Sequence, residues 1–181
     1  MTEKFKYRAF LTYAHEDGEQ AKQLRRALEN FRVPSALVGK ETEFGPVPAR
    51  LFPIFRDRDE LAGSAELGEA IQKALKDSSH LIVLCSPAAA KSFWVNEEIR
   101  VFKSMGRANR ILCLVLDGKP FASLRDGKPE LECLPVAARR KVSEQGKITE
   151  EPSEPAAADL RKDQDGEQGA YLKIIAGTLG V

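Results

Sequence analysis

The sequence predicts an α/β fold in which a parallel sheet carries helices on both faces. Apolar stretches of strand length alternate with apolar stripes at helical spacing through the first 118 residues, and such alternation is the pattern of parallel sheets. Two of the strand-like runs, Leu81–Cys85 and Ile111–Leu116, are apolar at every position, as a strand covered from both sides requires. The length of 181 residues suits one domain with chain enough for a substantial core.

The elements follow in order. Arg8–Tyr13 is a short apolar run that ends in the polar cluster Ala14–Gly18. Ala21, Leu24, Leu28 and Phe31 then fall at helical spacing, with Asp17 and Gln20 resembling a capping signal at the start. Val33 to Arg50 is punctuated by proline and glycine and reads as a long loop. Leu51–Phe55 has strand character, but Pro53 cannot donate to a ladder and belongs at a sheet edge. Ser64 can cap a helix with Leu67, Ile71 and Leu75 on one face. The buried-type strand Leu81–Cys85 follows, then a helix from Ser92 to Met105 stopped by Gly106, then the strand Ile111–Leu116. A sheet order of 2-1-3-4-5, the flavodoxin-like arrangement, puts the proline-bearing second strand at an edge. In such sheets ligands sit outside the carboxyl ends of the strands where the winding reverses. Here that crevice lies between Tyr13, Ala14 and His15 on one side and Ser86 and Pro87 on the other.

The whole of 1–181 reads as one domain with its core at about 7–120. Residues 121–165 read as irregular, with Glu150–Ala158 a low-complexity loop or tether. A last helix is expected over 167–180, with Tyr171, Ile174 or Ile175 and Leu179 inward. The chain stops at Gly180-Val181 directly after an apolar patch, which points to a longer natural protein.

Composition narrows the function. Lys plus Arg (28) nearly balance Asp plus Glu (27), so no bulk cationic field recruits nucleic acid or an anionic membrane. No apolar run nears the roughly 20 residues that span a bilayer, and the first residues lack the apolar core of a signal peptide. A cytoplasmic protein with no nucleic-acid or membrane partner is expected. Cys85, Cys113 and Cys133 form no metal-spaced pair and read as buried reduced thiols.

The informative segment is Ser92–Phe102. At about 100° per residue, Val95, Ile99 and Phe102 share one direction and face the sheet. Trp94 and Glu98, four apart, are neighbours on the flank of that stripe, whereas Glu97 points away from the core into water. The adjacent glutamates are therefore unequal. Glu98 sits at a burial boundary beside an aromatic ring, where desolvation can raise a carboxyl pKa. Helical geometry alone also fits a boundary glutamate that pairs with an arginine or lysine.

Four segments, in order and on elements of the right type, resemble the bacterial-type TIR (Toll/interleukin receptor) domain family. They are Tyr7-Arg-Ala-Phe-Leu-Thr-Tyr13, Phe55-Arg-Asp-Arg-Asp-Glu-Leu-Ala-Gly63, Leu81-Ile-Val-Leu-Cys-Ser-Pro87 and Ser92-Phe-Trp-Val-Asn-Glu-Glu-Ile99. The resemblance runs from about Tyr7 to Pro120. It implies that Glu98, four residues after Trp94, is catalytic. Substrate contacts are implied at Tyr13, Ala14, His15 and Ser86, and along the stretch Arg56 to Gly63, including Arg56 and Ala62. Trp94 can pack on a substrate ring or serve the core, and core packing is the expectation. Some family enzymes carry an arginine directly after the first-strand tyrosine, where this chain has Ala14 and His15.

The implied activity is cleavage of the nicotinamide–ribose bond of NAD⁺, giving nicotinamide with ADP-ribose or a cyclic ADP-ribose. The implied setting is the effector domain of a bacterial defence or signalling system. NAD⁺ is the substrate and no cofactor is expected. Implied partners are further TIR domains in homotypic assembly, with Arg56–Glu60 meeting a neighbour, and a fused or separate sensor domain. A TIR scaffold that acts only by self-association is the alternative, but it does not require Glu98. A phosphoacceptor receiver of the same architecture needs an aspartate where the third strand ends in Cys85-Ser86.

Overall fold

The computed structural model describes residues 4–56 and 67–181. β1 (Tyr7–Thr12) leads through a short turn into α1 (Gly18–Asn30), whose Ala21, Leu24 and Leu28 are buried. The loop expected over Val33 to Arg50 contains a small antiparallel hairpin, β2 (Glu41–Thr42) and β3 (Gly45–Pro46). Its flanking Val33 and Val47 are buried, which fixes the loop to the core. β4 (Ile54–Arg56) is shorter than the expected strand. Pro53 lies just outside it, after a cis peptide bond to Phe52, and its carbonyl accepts the Arg8 N–H at 2.9 Å.

α2 (Leu67–Lys76) precedes β5 (Ser78–Cys85), buried along its whole length. α3 (Pro87–Lys91) and α4 (Phe93–Ser104) follow, each capped by a serine hydroxyl: Ser86 accepts from Ala89 N–H and Ser92 from Val95 N–H. β6 (Ile111–Val115) is also wholly buried. The expected cap at Ser64 lies outside the described residues.

Residues 121–165 are more regular than their composition implied. α5 (Ala122–Arg125) and α6 (Val136–Arg139) are single turns. β7 (Arg140–Val142) and β8 (Ile148–Pro152) form an antiparallel hairpin. β9 (Ala156–Asp159) pairs in parallel with β6, Leu112 opposite Ala156 through Val115 opposite Asp159. The stretch Glu150–Ala158 is thus no tether: it supplies most of two strands. The run of alanines has no β-branched residue to advertise a strand, and its pairing partner lies far away in sequence. α7 (Gly166–Leu179) closes the chain with Ala170, Ile174, Ile175 and Leu179 buried.

The main sheet has the order β4-β1-β5-β6-β9, all parallel, which is the 2-1-3-4-5 arrangement. Alternate residues divide its core. Ala9, Leu11, Ile82, Leu84 and Leu114 pack against α1 and α7. Phe10, Val83, Cys85, Cys113 and Val115 pack against α2 and α4. Gly177 lets α7 lie close on the sheet, since a Cβ there would come within 2.7 Å of Leu112 Cδ2. Cys85, Cys113 and Cys133 are all buried free thiols. Among the described residues no helix is long and apolar enough to cross a membrane.

Candidate active site

The carboxyl ends of β1 and β5 hold the polar side chains of the site. Thr12 is the last residue of β1 and has no solvent exposure. It shares the face of Phe10, turned toward α4, because strand side chains alternate. Its Oγ1 donates a hydrogen bond to Glu98 Oε2. Glu98 is itself 4% exposed, deeper than the flank position that helical phase implied. The glutamate therefore stands on a helix and is tied to the strand that opens the fold.

A second tie crosses the same crevice. Ser86 Oγ donates to Asp17 Oδ2 at 2.5 Å while it accepts from Ala89 N–H at 3.1 Å. Asp17 makes no side-chain cap for α1; the aspartate expected there as a capping residue turns to Ser86 instead. Burial pushes its carboxyl pKa up, the Ser86 hydrogen bond opposes that shift, and the charges of Glu16 and Asp117 add to it.

Beside Glu98 a cavity of about 260 Å³ opens between α2 and α4. Ile71, Leu75, Phe93, Trp94, Val101 and both glutamates line it. Trp94 is 50% exposed and meets Phe93 edge to face, ring centres 5.3 Å apart. Its expected place in the core is therefore corrected: the stripe of Val95, Ile99 and Phe102 fills the helix–sheet interface, which leaves Trp94 at the cavity mouth. Glu97 is not simply solvated. It is ion-paired with Arg100 one turn on, and that hydrogen bond holds its carboxyl below the usual range.

The remaining expected residues separate. Ala14 and Ser86 are buried at the crevice, and Tyr13 is buried toward α1. His15 is exposed in the turn before α1. Arg56 ends β4 and is partly buried; Ala62 lies outside the described residues. Thr12 and Asp17 were missed as site residues. Strand parity marks Thr12 as the residue facing α4, but no local signal distinguishes Asp17 from a helix cap.

The chain is 32% identical over 164 residues to NAD(+) hydrolase ApTIR of Actinoplanes sp., an alignment that covers 86% of this chain and 19% of that protein. The chain therefore spans about a fifth of that relative's length. Among solved structures, the TIR domains of the activated Roq1 resistosome recognising the effector XopQ align with a TM-score of 0.46 and 21% identity. That alignment covers 68% of this chain and 64% of the other. A metazoan TIR-STING receptor from C. gigas aligns with a TM-score of 0.48 and 20% identity, over 74% of this chain and 38% of the other. Residues 10–120 match the family described as Thoeris protein ThsB, TIR-like domain. That match covers more than half of the sequence and includes Thr12, Asp17, Ser86, Trp94 and Glu98, and the chain belongs to this TIR-like family.

Proposed function

We propose that this chain is one TIR domain, 1–181, that hydrolyses NAD⁺ at the nicotinamide–ribose bond, with Glu98 as the catalytic residue. The observation that carries the reading is the placement of Glu98. A buried carboxylate is anchored by Thr12 at the carboxyl edge of the sheet and forms one wall of a cavity whose mouth bears an aromatic pair. Membership of the TIR-like family and the likeness to a protein named an NAD(+) hydrolase support the same reading.

The chemistry asks little else of the protein. When the C1′–N bond breaks, its electron pair stays on the pyridine nitrogen and neutralises the nicotinamide cation, so the leaving group needs no general acid. Positive charge passes to the ribose as an oxocarbenium-like centre. A carboxylate fixed beside the sugar stabilises that charge and accepts hydrogen bonds from the ribose hydroxyls. Thr12 acts as a positioning residue by holding Oε2. Trp94 and Phe93 offer ring faces to the nicotinamide, and Ile71, Leu75 and Val101 keep that end of the cavity apolar. Water then bonds to C1′ and loses its proton to solvent, giving ADP-ribose; attack by an adenine nitrogen or a ribose hydroxyl gives a cyclic product instead.

NAD⁺ is substrate in this scheme and no cofactor takes part. The domain works in the cytoplasm as a defence or signalling effector, assembles with further copies through the segment that follows Arg56, and answers to a sensor domain. The test is incubation of purified protein with NAD⁺ at high protein concentration and chromatography of the products. Release of nicotinamide by the native protein and its loss in Glu98→Gln support the hydrolase. Intact NAD⁺ with self-association preserved would make the chain a TIR scaffold.

A further inference from the structure

The end of the sheet opposite Glu98 carries an arrangement that NAD⁺ cleavage does not use. Three neighbouring strands begin there. Arg8 is the second residue of β1, Ser79 and His80 are the second and third of β5, and Arg110 immediately precedes β6. Arg110 is held rigidly. Its Nη1 donates to Ser79 Oγ at 3.1 Å, and its guanidinium lies 4.6 Å from the ring centre of Phe44 and 5.5 Å from that of Phe5.

The side-chain acceptors of this cluster, Ser79 Oγ and His80 Nδ1, are used within it, and its remaining side-chain groups are donors. The Ser79 hydroxyl, which accepts from Arg110, lies 3.0 Å from His80 Nδ1 and has its one proton free to give to that nitrogen. The ring proton of a neutral His80 then belongs on Nε2, which is buried and has no hydrogen-bond partner among the described residues. Arg8 Nε is likewise buried with no such partner. No ion pair with a described carboxylate is made by Arg8 or Arg110, although Arg25, Arg100 and Arg161 each have one, with Glu29, Glu97 and Asp159. Strand pairing of Tyr7 with Ser78 and of Ala9 with His80 sets Arg8 beside Ser79, the residue that Arg110 grips; the two arginines thus face each other's charge, and burial together with Arg110 lowers the Arg8 pKa. Partly buried guanidinium groups without a counter-charge are costly, and buried donors without acceptors are rare.

We propose that Arg8 and Arg110, backed by Ser79 and His80, form an oxyanion site for a phosphate-class ligand at the amino-terminal edge of the sheet. The donors come from three separate strand starts, so they approach the ligand from different directions. That suits a tetrahedral oxyanion better than a planar carboxylate. Both arginines remain partly exposed as residues, so the ligand enters from solvent, and the stacking of Arg110 on Phe44 sets its orientation before binding. Bound phosphate supplies the further acceptors and the negative charge that the cluster lacks.

The test is thermal unfolding of the full chain titrated with inorganic phosphate at constant ionic strength, with acetate as a parallel titration and AMP as a third. Native protein should gain about 3 °C in Tm once phosphate is tenfold above its dissociation constant, and the gain should go on rising with the logarithm of phosphate concentration. Acetate at the same concentrations and ionic strength should give no such gain. A response to phosphate and AMP alike assigns the site to any phosphate monoester, whereas a response to phosphate alone assigns it to the free ion. Arg8→Gln and Arg110→Gln should both lose the phosphate response. In phosphate-free buffer Arg8→Gln should melt no lower than the native protein, because it removes the repulsion between the arginines; a purely structural Arg8 would give a lower Tm. Should either variant fail to fold, ³¹P line broadening on the native protein, reversed by excess sulfate, reads the same site. An equal phosphate response in native and Arg8→Gln protein, an equal response to acetate, or no phosphate response at all would overturn the proposal.

Discussion

Glu97 and Glu98 are adjacent in sequence and both line the cavity, but their carboxylates are held differently, Glu98 by Thr12 and Glu97 by Arg100. Helical phase alone separates them, because the stripe of Val95, Ile99 and Phe102 fixes how α4 meets the sheet. Glu98→Gln should remove nearly all NAD⁺ turnover with the circular dichroism spectrum intact. Glu97→Gln should keep most of it, since that carboxylate is spent on an exposed pair with Arg100, a type of contact worth about 0–1 kcal/mol. Equal loss in both would remove Glu98 from its assigned role. Thr12→Val keeps the shape of the strand and removes the hydroxyl that holds Glu98. A hydrogen bond to a charged group contributes about 1.5–3 kcal/mol, so turnover should fall at least tenfold with KM little changed. Asp17 gives a prediction in pH. Its folded-state pKa is raised by burial, so its contribution to stability is full below the ordinary aspartate value and is lost as pH rises through the folded-state value. Asp17→Asn, which still accepts from Ser86, should therefore melt above native protein at neutral pH, and the gap should close below the ordinary aspartate pKa. A gap independent of pH would remove the cost assigned to that carboxylate. Thr12 and Asp17 escaped the sequence because each matters through a partner more than 60 residues away, Glu98 and Ser86. The inward lean of Glu98 was legible because its neighbours on one helix define its direction, whereas its catalytic role is what the family resemblance implies.

At the scale of elements, the strands that announce themselves are those buried on both sides. β6 is a continuous apolar run and lies where the sequence puts it, whereas β5 extends the run Leu81–Cys85 back by three buried polar residues, Ser78, Ser79 and His80. β4 is displaced toward Arg56 because Pro53, though its carbonyl accepts from Arg8, has no N–H to donate to the ladder. β9 was hidden, since three alanines between prolines and charges carry no strand signal of their own. What makes them a strand is the unpaired edge of β6 and the underside of α7, neither of which is local information. Deleting Glu150–Ala158 removes most of β8 and three of the four residues of β9. That deletion should leave insoluble or non-cooperatively melting protein, where a mere tether would have been dispensable. Ile174→Ala on α7 should cost about 2–5 kcal/mol in denaturant unfolding, the usual price for emptying a buried site of that size. A loss under about 1 kcal/mol would show that α7 is not integral to the core.

For the whole molecule, the sheet order follows from the pattern of elements, and the crevice follows from the order. The cavity between α2 and α4 is open on one side, and Arg56 leads into the segment assigned to a neighbouring copy. Specific activity should therefore rise with protein concentration, and Arg56→Glu should depress activity and association together. Flat activity across a hundredfold dilution, followed beside light scattering, would make a single copy sufficient. The late position of β9 and α7 has another consequence, for the chain during its synthesis. Translation delivers the crevice strands and the helix of Glu98 before the strand that closes the β6 edge and the helix over Leu112 and Leu114. Until they emerge, the nascent chain displays an open strand edge and a bare apolar face, the two surfaces most prone to misassociation. The ribosome thus completes every residue of the crevice well before the domain can hold them in place, and a product that terminates early reaches the cell as a client for chaperones and proteases.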